Sequence, residues 1–222
     1  MSTFAPEARN IRLSSHEKNF TLFQAAAIIL VFATVFVAAG YLVGRTFFWK
    51  SNAETRVDQQ LAFFKAKVET APKVPENRVN LGYTYYLKGE YTQALQHFQV
   101  ALSIDPKFAD AHYDMGLVYK EQKKHDEALE SFSKAAKLAP RDYKNFMQMG
   151  VIYNLQGNYQ SAITALNRAN QEKPGSADVI YQIGISAEKT GDKAGARELY
   201  QTALNYDPNY QEAKDALAKL GK

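Results

Sequence analysis

An all-α repeat solenoid is the fold class this sequence predicts, on three observations that share one period. Gly82, Gly116, Gly150 and Gly184 stand 34 residues apart. Ala94, Ala128, Ala162 and Ala196 keep the same spacing, as do Ala101, Ala135, Ala169 and Ala203. Pro106, Pro140, Pro174 and Pro208 close each unit, and no insertion breaks the register. A repeat of this length denotes stacked supersecondary units, none of which buries its apolar face alone.

Within the first unit, Leu81, Gly82 and Tyr85 lie on one face of a helix starting near Glu76. Lys88-Gly89 ends it, because glycine adopts the left-handed conformation that terminates helices. A second helix from Tyr91-Thr92 carries Ala94, Leu95, Phe98, Ala101 and Leu102 at helical spacing. Asp105-Pro106 stops it, since proline lacks a donor and disfavours helix in the residue before it. Small residues let the two helices approach, while Tyr85 and Phe98 fill the space between them. Each unit is therefore expected to be a helical hairpin, and the units run 75–108, 109–142, 143–176 and 177–210.

These units resemble tetratricopeptide repeats. That family carries small residues at unit positions 8, 20 and 27, aromatics at 11 and 24, and proline at 32. Here position 11 holds Tyr85, Tyr119, Tyr153 and Ala187; position 24 holds Phe98, Phe132, Leu166 and Tyr200. Two departures are Lys123, where the glycine between helices usually sits, and Ala187, where a ring is expected. The resemblance covers about two-thirds of the chain. It implies a right-handed superhelix of helical hairpins with a C-terminal capping helix, and a scaffold that binds proteins.

Ahead of the repeats, residues 1–21 are polar and carry Arg9, Arg12, His16 and Lys18, which predicts a short tail. From Leu22 to Gly44 no charge interrupts the apolar run. At about 1.5 Å per residue this run reaches roughly 34 Å, enough for a bilayer core of about 30 Å. The sequence thus predicts a single-pass transmembrane helix over 22–44, with the lipid bilayer as a partner. A cleaved signal peptide, with Ala38 and Gly40 before the cut, is the alternative; its apolar part usually runs about 7–15 residues. Phe47, Phe48, Trp49 and Lys50 would sit at the membrane–water interface. Flanking charges tie, with Arg9, Arg12 and Lys18 against Arg45, Lys50 and Arg56. The α-amino group and the lack of cysteine lean the repeats toward the extracytoplasmic side. Gly40 and Gly44 form a GxxxG pair that would permit a homodimer.

The segment 45–74 joins this run to the repeats. Val57, Leu61, Phe64 and Val68 share one helical face, and Phe64, Leu61 and Pro72 lie one period before Phe98, Leu95 and Pro106. A degenerate half-repeat is expected there, the alternative being an amphipathic linker on a membrane surface. At the far end, residues 211–222 place Ala213, Ala216, Leu217 and Leu220 on one face, as a capping helix does.

Composition narrows the function. The chain has 222 residues, room for the repeats and no second large domain. Its lack of cysteine excludes disulfides, zinc-thiolate sites and thiol catalysis. Residues 1–74 carry nine Lys/Arg against five Asp/Glu, whereas residues 75–222 carry eighteen of each. A nucleic-acid binder presents a basic stripe on its folded domain, and a balanced array does not predict one. His16, His97, His112 and His125 are scattered; His112 and His125 fall at packing positions, and core histidines are expected rather than metal ligands. Phosphate loops, nucleophile elbows and HExxH helices do not occur, so no catalytic residue or cofactor is predicted.

The resemblance places the concave lining at unit positions 2, 5, 9, 12 and 13 of each first helix. Position 5 gives Val79, Tyr113, Met147 and Tyr181, and position 9 gives Tyr83, Leu117, Val151 and Ile185. Tyr86, Lys120, Asn154 and Glu188 border this strip at position 12. Relatives that clamp the carboxylate terminus of heat-shock chaperones carry Lys and Asn in the groove; that pattern is absent here. An apolar, tyrosine-rich strip predicts an amphipathic helix or extended peptide as ligand. The alternative is that the same residues pack against the neighbouring helix. The expected function is a membrane-anchored adaptor that recruits or assembles partner proteins. A permanent structural subunit of a membrane enzyme or filament is the alternative.

Overall fold

The structure is a computed structural model that describes residues 22–44 and 52–221. The expectations for the polar tail and for the Phe47–Lys50 cluster lie outside those residues. The chain divides into two compact units, Met1–Glu54 and Thr55–Lys222.

The first unit holds helix α1, Leu22–Val43. Its residues from Ile29 to Tyr41 are exposed. Among the described residues, no helix is long and apolar enough to cross a membrane. This finding corrects the predicted span at 22–44, and with it the single-pass localisation and the extracytoplasmic placing of the repeats. Nothing lies within 4 Å of where a Cβ on Gly40 would stand, so the homodimer through Gly40 and Gly44 rests on sequence alone.

Ten helices follow: α2 (Asn52–Thr70), α3 (Pro75–Leu87), α4 (Tyr91–Ile104), α5 (Ala109–Glu121), α6 (His125–Leu138), α7 (Tyr143–Leu155), α8 (Tyr159–Glu172), α9 (Ala177–Lys189), α10 (Lys193–Tyr206) and α11 (Gln211–Leu220). No strand occurs among the described residues. From α3 to α10 the helices pair as hairpins, and each hairpin packs on the next.

The repeated residues explain the hairpins. Phe98, Phe132, Leu166 and Tyr200 are fully buried, as are all eight alanines of the two Ala columns. The glycines of the first helices lie directly against the four large side chains. A Cβ on Gly82 would stand 2.6 Å from Phe98, on Gly116 2.7 Å from Phe132, on Gly150 2.5 Å from Leu166 and on Gly184 2.6 Å from Tyr200. Close packing leaves no room for such a methyl.

Between the paired helices the turn is stereotyped. The N–H groups of Glu90, Lys124, Asn158 and Asp192 reach back five residues to the carbonyls of Tyr85, Tyr119, Tyr153 and Ala187, at 2.8–2.9 Å. The residue before each donor is left-handed: Gly89, Gly157 and Gly191 at φ 75°, 75° and 92°, and Lys123 at φ 60°. This is the geometry that satisfies the last helical carbonyls. At the other end of each hairpin, the prolines 106, 140, 174 and 208 follow helices that have already stopped.

Helix α11 closes the array. Ala213 and Ala216 are buried against it, and Arg197 on α10 donates to the Leu220 carbonyl at 3.0 Å.

Candidate functional site

The first helices α3, α5, α7 and α9 carry the predicted strip, and the structure sorts it into three kinds of residue. Val79 is buried in the core around Phe98. Tyr113 and Tyr181 are half-buried, with ring centroids 5.4 Å from Phe132 and from Tyr200; Tyr181 also meets Tyr210 at 5.1 Å. Leu117, Met147 and Ile185 are half-buried at the edges of core clusters, and Val151 is likewise half-buried. Tyr83 is the strip residue that stands in solvent, 40% exposed. Its ring lies 5.6 Å from that of Tyr86, which in turn lies 6.1 Å from Tyr91.

The border residues at position 12 tie units together. The Lys120 ammonium donates to Gln148 Oε1 at 2.9 Å. Asn154 Nδ2 donates to the Gln182 carbonyl at 3.2 Å, and Asn154 Oδ1 accepts from Ser186 Oγ at 2.7 Å. Both ties run from position 12 of one unit to position 6 of the next. Glu188 acts within its own hairpin, accepting from the Tyr200 hydroxyl at 2.7 Å. Because burial and this carboxylate both favour the neutral phenol, the Tyr200 hydroxyl is held far above the usual range.

The first junction differs. Tyr86 and Asp114 occupy the equivalent positions, but among the described residues nothing bonds the Asp114 carboxyl. Burial, with the Asp110 charge beside it, pushes Asp114 up to about 7. Tyr86 is pushed up to about 12, first by burial and then by Glu121, and Tyr113 to about 12 by burial and then by Asp114. Around these groups a hollow of about 440 Å³ opens, lined by Val79, Tyr83, Tyr113 and Leu117 and by Asp110, Asp114, Asp142 and Lys144. Asp142 is already engaged, its carboxylate accepting from the Lys144 backbone N–H at 3.1 Å. The sequence reading missed Asp114. Its signal was the spacing Asp110, Asp114, Leu117, which puts two carboxylates on the lining face of α5.

The histidines outside residues 1–21 sit in packing. His97 stacks on Tyr85 at 5.3 Å, and burial with nearby Arg78 and Lys65 pushes it down. His112 is pushed down chiefly by burial. Among the described residues no group of three or more His, Cys, Asp or Glu is placed to hold a metal.

Comparisons with known proteins agree with this geometry. Family models described as TPR repeat and tetratricopeptide repeat match residues 82–123, 109–142 and 154–220. No curated protein matches the sequence. Among solved structures the chain is similar to MamA, at 20% identity and a TM-score of 0.61, covering 74% of this chain and 99% of MamA. It is also similar to YrrB, described as a TPR protein with an unusual peptide-binding site, at 23% identity and a TM-score of 0.60 (73% and 84% covered). Pseudomonas aeruginosa pilF matches at 25% identity and a TM-score of 0.63, with 67% and 68% covered. On these matches and this fold, the chain is a tetratricopeptide-repeat protein over residues 82–142 and 154–220.

Proposed function

We propose that the chain is an interaction scaffold that takes a segment of a partner protein along the face formed by α3, α5, α7 and α9. The observation that carries this reading is the hollow between the first two units, where exposed Tyr83 and half-buried Leu117 and Tyr113 adjoin unbonded polar groups. At the next two junctions the polar groups are bonded to each other through Lys120 and Asn154. Binding energy at interfaces concentrates in a few residues, with tyrosine enriched among them. Tyr83 and Leu117 are therefore the anchors of this reading, with Tyr86 beside them. Val79, Tyr113, Met147, Val151, Tyr181 and Ile185 shape the groove more than they contact the partner. In the same reading α2 fills the second-helix place of a half-repeat, and residues 75–210 form four units.

The test is co-purification from the native lysate with the full-length chain and with Tyr83→Ala and Leu117→Asp variants, each checked by circular dichroism. Partners should be recovered with the parent chain and lost with both folded variants. Unchanged recovery would move the interface to the other face or to the turns.

A further inference from the structure

We propose that the hollow between α3 and α5 seats one lysine or arginine side chain of the partner, carried by an extended, otherwise apolar segment. The inference rests on the groove reading above and specifies the chemistry of its ligand.

Three observations lead to it. The first is the vacant tie: position 12 reaches position 6 of the next unit at Lys120–Gln148 and at Asn154–Gln182, but not at Tyr86–Asp114. Asp114 thus points an unbonded carboxyl into the place where, one unit later, the Gln148 side chain accepts from Lys120. A polar group withdrawn from water without a partner is costly, and a ligand donor removes that cost.

The second is charge. Asp110, Asp114 and Asp142 line the hollow against Lys144 alone, inside a repeat array whose total charge balances. Asp110 stands one helical turn from Asp114, so both carboxylates face an entering cation. A bidentate or charge-assisted bond to a guanidinium or ammonium suits such a pair. Among the described residues these carboxylates do not form a metal-type cluster.

The third is the wall. Tyr83 and Tyr113 flank the carboxylates, and tyrosine faces attract an ammonium or guanidinium and offer apolar surface to its alkyl stem. Leu117 offers apolar contact to the residues beside the cation, with Val79 forming the floor behind it.

The experiment pans one library of random linear peptides, displayed on phage, against the full-length chain and against Asp114→Asn. Asparagine keeps the size of the side chain, and Asn80 already fills the equivalent position in the first unit. The parent should enrich peptides with one Lys or Arg beside apolar residues, and Asp114→Asn should lose that preference. A synthetic peptide from the parent selection should bind Asp114→Asn about tenfold more weakly. Its norleucine version should bind both proteins alike within about threefold. Binding of the parent peptide should also weaken with added salt. If apolar peptides are enriched equally on both proteins, and Tyr83→Ala abolishes their binding, the cation proposal is overturned while the groove reading stands. If the selected peptides ignore both Tyr83→Ala and Leu117→Asp, or if none is selected, both fall.

Discussion

Lys88 at the end of α3 bonds Asp58 on α2 at 2.8 Å, across thirty residues of sequence. Two periods later Gln156 bonds Asp126 at 3.1 Å across the same thirty residues. Asp126 lies on α6, the second helix of a hairpin. The shared register supports giving α2 the second-helix place, because a free linker has no reason to keep it. The ion pair itself is exposed, and such pairs contribute about 0.2–1 kcal/mol. A double-mutant cycle on Asp58 and Lys88 should give a coupling in that range that fades with salt. Val68, the buried residue among the described side chains of α2, should matter more: Val68→Ala should cost about 1–2 kcal/mol. A neutral Val68→Ala would return α2 to the linker reading.

Lys123 adopts φ 60° where three other units place glycine. A side chain in the left-handed region costs about 1–2 kcal/mol, partly offset by the greater freedom of glycine in the unfolded chain. Lys123→Gly should therefore stabilise the chain by about 0.5–1 kcal/mol, read as a higher melting temperature. The reverse change, Gly157→Lys, should lower it by a similar amount.

The glycines of the first helices have the opposite logic. Their backbone is ordinary helix, and space forbids the side chain: a Cβ on Gly116 would meet Phe132 at 2.7 Å. Gly116→Ala gains about 1 kcal/mol of helix propensity, yet overpacking at about 1–3 kcal/mol should outweigh it and leave a net loss of up to about 2 kcal/mol. In a Phe132→Ala background the penalty should disappear, since the clashing ring is gone. Melting of the four proteins in that cycle decides it.

These cases mark what could be read beforehand. The columns at Gly82, Ala94, Ala101 and Pro106 announced the hairpin because packing and turn chemistry repeat with the chain. Phe132 and Tyr200 were assigned to the space between helices by the same register. Groove residues follow no such column. Tyr181 is covered by Tyr210 in the connection before the capping helix, a contact that its own unit does not encode. Asp114 was silent for another reason: its state depends on a missing partner at Tyr86, and partners across units emerge only when the units stack.

Asp114 also sets a pH dependence. Its folded value, about 7, lies above that of an ordinary aspartate, so the native state holds the proton more tightly than the unfolded chain. Between about pH 4 and 7 the native state then binds more protons, and stability must fall as pH rises through that window. Above about 7 the loss is complete. Allowing for the water that still reaches the carboxyl, it should be of order 2 kcal/mol. Comparing the parent with Asp114→Asn isolates this effect from His97 and His112. Their lowered values act in the opposite sense, costing stability as pH falls below about 6.5. The variant should be the more stable protein at pH 8, and its advantage should vanish near pH 4. A difference that does not change with pH would show that Asp114 titrates normally.

The tyrosines of the first helices separate structure from binding. Tyr113 and Tyr181 bear on Phe132 and Tyr200, so removing either ring opens space beside a fully buried side chain. Large-to-small changes in full burial cost about 3–5 kcal/mol, and these half-buried rings should each cost about 2 kcal/mol. Tyr83 touches Tyr86 and solvent, and surface substitutions usually stay within about 0.5 kcal/mol. Tyr83→Ala should therefore melt with the parent chain, whereas Tyr113→Ala and Tyr181→Ala should melt well below it. Thermal denaturation of the three single variants ranks them directly. A low-melting Tyr83→Ala would mean that its ring supports the fold, and lost partner recovery in that variant would no longer report on the groove. If Tyr113→Ala and Tyr181→Ala melted like the parent, their rings would be free for a ligand, and the anchor set would extend from the first junction along all four units.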